Sequence, residues 1–197
     1  MEDFPFYEEF MAALRKVGKE YISYTVTINN KTEVKYSERI FAYEFYHRLR
    51  SKIGNKAVKL SGEQEKDGRL FMIENSDYKF IPDLVLHSSI DSIFEQYWIC
   101  EIKMLGNPRP FQDLVKINNY VQKNVRFNNY IFLFVGATLK DVKRKMFNYI
   151  KKHLDGSLYD DTICIFFNRD SHNKPSIETI RLGVIIEKVK EHFGNNI

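Results

Sequence analysis

The sequence predicts an α/β or α+β domain built on a mixed sheet, and three observations carry that prediction. Short apolar runs of strand length recur from residue 69 to residue 167. Stretches with apolar residues at spacings of three and four alternate with them. One run, Tyr130–Val135, is almost wholly apolar, as a strand covered on both faces must be.

The elements follow in order. Residues 5–20 read as a short amphipathic helix carrying Phe6, Phe10, Leu14 and Val17, whose default place is the core. Tyr21–Asn29 alternates as a strand, and Asn29-Asn30-Lys31 is its turn. Ser37 followed by Glu38 opens a helix to about Lys52, with Phe41, Ala42, Phe45 and Leu49 on its apolar face. Residues 53–68 are polar, contain three glycines and are expected as a mobile loop. Arg69–Ile73, Tyr78–Leu86 and Tyr97–Met104 are expected strands. Asn107-Pro108-Arg109-Pro110 then opens a helix to about Asn124, since proline suits a first helical turn. After the Tyr130–Val135 strand come a basic helix from about Leu139 to Leu154, a strand at Thr162–Phe167 and a helix around Leu182–His192.

At 197 residues, 44% of them apolar, the chain is expected to form one domain with a sizeable core, so wholesale disorder is excluded. Thirty basic residues against 26 acidic ones give a net charge of +4, a mild excess that permits a polyanionic partner without demanding one. The longest apolar run falls far short of the roughly 20 residues a membrane-spanning helix needs. The acidic opening Met-Glu-Asp-Phe-Pro does not look like a signal peptide. A soluble cytoplasmic protein with no membrane partner is expected. Cys100 and Cys164 lie inside strand-like runs and read as buried free thiols.

Several chemistries are excluded by their missing motifs. There is no glycine-rich phosphate loop, His-Glu-x-x-His, Gly-x-Ser-x-Gly or Cys-x-x-Cys, and the five histidines show no metal-ligand spacing. What remains is acids and one lysine inside apolar strands. In Trp98-Ile99-Cys100-Glu101-Ile102-Lys103-Met104, alternation puts Glu101 and Lys103 on one face with Ile99. Upstream, Asp83 interrupts the run Phe80-Ile81-Pro82-Asp83-Leu84-Val85-Leu86. A carboxylate buried alone is costly, so it wants a partner, and a hard divalent cation is a good one. Two such acids could hold Mg²⁺ while the lysine orients a water and stabilises negative charge at phosphorus. The bland alternatives are an exposed charge pair for Glu101 and Lys103, and an edge-strand position for Asp83 beside Pro82.

Pro82-Asp83, seventeen intervening residues, then Glu101-Ile102-Lys103 resembles the signature of the PD-(D/E)XK nuclease superfamily. The resemblance implies a restriction-endonuclease-like αβββαβ core, here about residues 37–135, with a central mixed sheet flanked by helices. Residues 1–36 would be an N-terminal extension and 136–197 a C-terminal elaboration of a single nuclease-like domain. It implies that Asp83, Glu101 and the Ile102 carbonyl hold Mg²⁺, with Mn²⁺ as substitute, and that Lys103 serves the chemical step. Glu44 matches the family's helical glutamate and would assist the metal site, although Arg48 four residues on offers it an ordinary ion pair. Gln112 matches a polar residue that many members carry at the start of the next helix. The recombination-nuclease branch has Gln-x-x-x-Tyr there, and this chain has Lys116 in the tyrosine position.

Basic residues cluster at 44–60 and 138–153. Arg48, Arg50 and Lys52, with Gln112 and Lys116, are the candidates for contacting nucleic acid, DNA favoured over RNA. The leading expectation is therefore a metal-dependent hydrolase of phosphodiester bonds, with a homodimer left open. The alternative is a nuclease-like fold that binds nucleic acid or protein without cutting.

Overall fold

The structure, a computed structural model, describes residues 4–54, 56–62, 82–88, 96–123 and 127–194. Its elements are α1 (Tyr7–Leu14), a 3-10 turn (Lys19–Tyr21), β1 (Ser23–Ile28), β2 (Lys31–Tyr36), α2 (Glu38–Ile53), β3 (Val58–Gly62), β4 (Leu84–Ser88) and β5 (Gln96–Met104). There follow α3 (Gln112–Gln122), β6 (Asn129–Val135), α4 (Leu139–Lys151), β7 (Ile163–Arg169), β8 (Pro175–Arg181) and α5 (Leu182–Phe193).

Strands β3 to β8 lie side by side in chain order as one mixed sheet. The β5–β6 and β6–β7 pairs are parallel, joined by α3 and α4, while β3–β4, β4–β5 and β7–β8 are antiparallel. Parallel neighbours need a crossover, and helices of eleven and thirteen residues supply it. Strict alternation then sorts the strands into two faces. One face, with Leu84, Leu86, Trp98, Cys100, Ile102, Leu133 and Phe167, packs under α1 and α2. The other, with Val85, Ile99, Phe132, Phe134, Cys164 and Phe166, packs under α3, α4 and α5. Cys100 and Cys164 are therefore free, buried and on opposite faces.

The N-terminal segment is part of the first of these cores. Phe10 packs edge-on against Phe45 and Trp98 at 4.9 and 5.6 Å, and the Trp98 indole donates to the Pro5 carbonyl at 3.0 Å. Ser37 caps α2 by accepting from the Ile40 amide, and Thr138 caps α4 in a reciprocal box with Asp141. Strand β2 pairs with β1 as a separate hairpin turned by Asn29 and Asn30, both at positive φ. The Tyr36 ring at its base lies over Gly106, which sits at φ +96°. A Cβ there would stand 3.0 Å from the ring, so the residue after β5 has two reasons to be glycine.

Two expectations are corrected, and two strands are added to them. The loop expected at 53–68 holds β3 at Val58–Gly62, where Val58 and Leu60 turn inward and pair the edge of the sheet with β4. The first helix stops at Leu14 rather than running to residue 20. Strands β2 and β8, too polar to read as buried, form by pairing with β1 and β7. The expected strand at Arg69–Ile73 and the start of Tyr78–Leu86 lie outside the described residues. Among the described residues no helix is long and apolar enough to cross a membrane.

Candidate functional site

Strand β4 begins beside the middle of β5, with Leu84 opposite Cys100. Asp83, one residue before β4, therefore sits next to the Glu101-Ile102-Lys103 segment, and its Oδ2 accepts from the Ile102 amide at 2.6 Å. Alternation puts Asp83, Glu101 and Lys103 on the sheet face that α3 covers, where their strand neighbours Val85 and Ile99 pack. The chain leaves β5, turns and returns along α3, and the two elements meet in opposite directions. Two strand residues span ~6.6 Å, between the ~4.5 Å that separates Asp113 from Lys116 along the helix axis and the ~10.5 Å that separates Asp113 from Tyr120. The strand acids and bases thus come into register with their helical partners. Lys103 meets Asp113 in the first turn of α3, at 2.9 Å. Glu101 meets Lys116 and Tyr120 further along, at 2.8 and 2.6 Å.

Glu101 is wholly buried. One oxygen accepts from the Tyr120 hydroxyl and the other from the Lys116 ammonium. Burial, and then the charge of Asp83, raise its proton affinity, pushing its pKa to about 8 despite Lys116. Asp83 is raised to about 6, chiefly by burial, while the Ile102 amide and the Lys116 charge pull it down. Tyr120 moves upward too, through burial and the neighbouring Glu101 charge. Lys103 behaves in the opposite sense. Burial works to neutralise it, but Asp113 at 2.9 Å and Glu38 at 3.2 Å outweigh that, so its ammonium is held more firmly than in water.

Glu38, Asp113 and Tyr120 were not singled out in the sequence, although each carried a faint signal. Glu38 is the first residue of α2 after its cap, Asp113 is in the first turn of α3, and Tyr120 stands one turn beyond Lys116. The α2 acid at the site is Glu38. Glu44, six residues on and so ~9 Å further along the axis, pairs with Arg48 at 2.5 Å. With Tyr21, His47, Arg48, Arg50, Ser51 and Gly54 it lines an open concavity of about 690 Å³. Arg50 and Lys52 are exposed on the same helix. Gln112 is exposed, and the side chains of α3 that reach the acids are Lys116 and Tyr120 rather than Gln112.

No protein-family model, curated protein or solved structure matches the chain.

The site must therefore be judged on its own chemistry. Among the described residues no group of three or more His, Cys, Asp or Glu side chains could hold a metal ion. The donor set at the centre is two carboxylates, Asp83 and Glu101. The Asp83 charge raises the proton affinity of Glu101, and burial raises that of both, so positive charge placed beside them relieves the same cost that a proton does. That is a fit to a hard cation completed by water or by a substrate oxygen.

Proposed function

We propose that the chain is a metal-dependent nuclease with a restriction-endonuclease-like core, acting on phosphodiester bonds and on DNA before RNA. One observation carries the reading. Asp83, Glu101 and Lys103 share one face at a strand pair, β4–β5, with Asp83 tied to the backbone of the Glu-x-Lys segment. The αβββαβ order is supported by α2, β3, β4, β5, α3 and β6, which among the described residues follow one another along the chain in that sequence.

Asp83 and Glu101 would hold a Mg²⁺ or Mn²⁺ ion, with the Ile102 carbonyl as a further ligand. Bound there, the ion supplies charge neutralisation and Lewis acidity at the phosphate. The rest falls to the chain's own groups. Lys103 keeps its proton through Asp113 and Glu38, so it donates to a water or to a phosphate oxygen as charge develops. Because both partners are carboxylates on separate elements, α2 and α3, the ammonium has a defined position before substrate arrives. The exposed cations of α2, Arg50 and Lys52 first, would hold the nucleic-acid backbone.

A second reading, a nuclease-like fold that binds without cutting, is favoured by a different observation: both oxygens of Glu101 already have protein donors. Incubation with plasmid, linear duplex, single-stranded DNA and RNA, in Mg²⁺ or Mn²⁺ against EDTA, separates the two. Cleavage is expected that EDTA abolishes and that Asp83→Asn loses together with Mn²⁺ binding. Salt-sensitive binding with every substrate left intact would leave only the second reading.

A further inference from the structure

We propose that Lys116 is the resident counter-ion of Glu101, and that a divalent cation enters the site by displacing its ammonium. The proposal rests on the metal-dependent reading above and adds an exchange step to it.

The two lysines at the acids are lodged differently. The Lys103 side chain is 11% exposed and clamped between Asp113 and Glu38. The Lys116 side chain is 36% exposed, reaches in from the surface of α3, and puts its ammonium 2.8 Å from Oε2 of a Glu101 side chain that is itself 1% exposed. The Tyr120 hydroxyl, on the other oxygen, is a neutral donor and can stay when a cation binds. The ammonium on Oε2 competes with an entering cation, because it occupies a lone pair of the same carboxylate and carries the same sign of charge. Four methylenes let it swing outward while α3 and Tyr120 keep their places. The exchange makes and breaks no covalent bond, and the amine leaves with its proton. Once outside it is a cation beside the site, suited to a phosphate oxygen of the incoming substrate. Metal entry and phosphate capture then favour each other, since each draws the same side chain the same way.

The test is titration of the full chain with Mn²⁺ by calorimetry, without nucleic acid, for wild type, Lys116→Met and Lys116→Arg. Lys116→Met is expected to bind Mn²⁺ tighter by about tenfold or more, having lost a competitor and a like charge. Lys116→Arg should bind no tighter than wild type. Mn²⁺ taken up by Lys116→Met alone overturns the exchange, since the wild-type ammonium would then not yield to the ion. Equal affinity in wild type and Lys116→Met overturns the exchange and leaves the nuclease reading standing; no uptake by any folded variant overturns both. Should Lys116→Met fail to fold, acetylation of the wild-type lysines, read by mass spectrometry with and without Mn²⁺, decides. Labelling of Lys116 must rise with the ion, and an unchanged or lower level overturns the proposal.

Discussion

Lys103 has a neighbourhood that changes what its removal would do. A methionine fills the same volume and cannot donate, so cleavage is expected to fall by ~10²–10³, the usual cost of losing one preorganised donor. The same substitution leaves Asp113, whose side chain is 8% exposed, facing Glu38 with no cation between them. Breaking a buried pair from one side typically costs ~3–5 kcal/mol. Lys103→Met should therefore lower the melting temperature, and adding Asp113→Asn should recover part of the loss without restoring cleavage. DNA binding measured in Ca²⁺ should persist in the double variant. A double variant that cuts at the wild-type rate would remove Lys103 from the chemistry.

Helices α2 and α3 do different work. Helix α3 delivers Asp113, Lys116 and Tyr120 to β5 from one face, so its register against the strand sets the site. Helix α2 delivers only Glu38, from its first turn, and carries its cations further on. Among those, Arg48 is already partnered by Glu44 at 2.5 Å, whereas Arg50 and Lys52 have no such pair among the described residues. Each phosphate contact on duplex DNA contributes ~0.9 to the log-log salt slope. Neutralising Arg48, Arg50 and Lys52 together should therefore flatten the slope by ~1.8, as two contacts would, rather than by ~2.7. An unchanged slope would mean that this helix face is only solvated. The basic face of α4 offers a comparison: Lys140, Lys143, Arg144 and Lys145 are exposed while Val142, Met146 and Phe147 are buried, as on any amphipathic surface helix.

The whole molecule should record the cost of one buried and one half-buried acid in its response to pH. Asp83 rises from 3.8 to about 6 and Glu101 from 4.5 to about 8, so the folded state binds both protons more tightly than the unfolded chain. The stability those protons confer is complete below about pH 4 and is lost as pH rises through 6 and then 8. In EDTA the melting temperature of wild type should therefore fall between pH 5 and 8.5 relative to Glu101→Gln, which carries no proton there to lose. Mn²⁺ should raise it more at pH 8.5 than at pH 5, because the ion binds the deprotonated pair. A wild-type curve parallel to that of Glu101→Gln across this range would show that the Glu101 proton is not coupled to folding.

Periodicity placed the strands and helices of what the structure shows to be two parallel crossovers. The apolar runs at Tyr97–Met104 and Tyr130–Val135 became β5 and β6, and the residues between them became α3, since a strand buried on both faces leaves a signal too strong to misread. Alternation likewise put Glu101 and Lys103 on a common face. Strand β3 was not legible in the same way, because a glycine-flanked edge strand of five residues looks like the loop around it, and only pairing with β4 makes it a strand. Nor could the sequence say which helical acid reaches the lysine. Glu38 and Glu44 are equally acidic and equally helical, and the choice depends on where α2 begins relative to the end of β5. Tyr120 and Lys116 meet Glu101 for the same kind of reason: partners across a strand and a helix are chosen by how the two elements cross, a quantity that neither segment contains by itself.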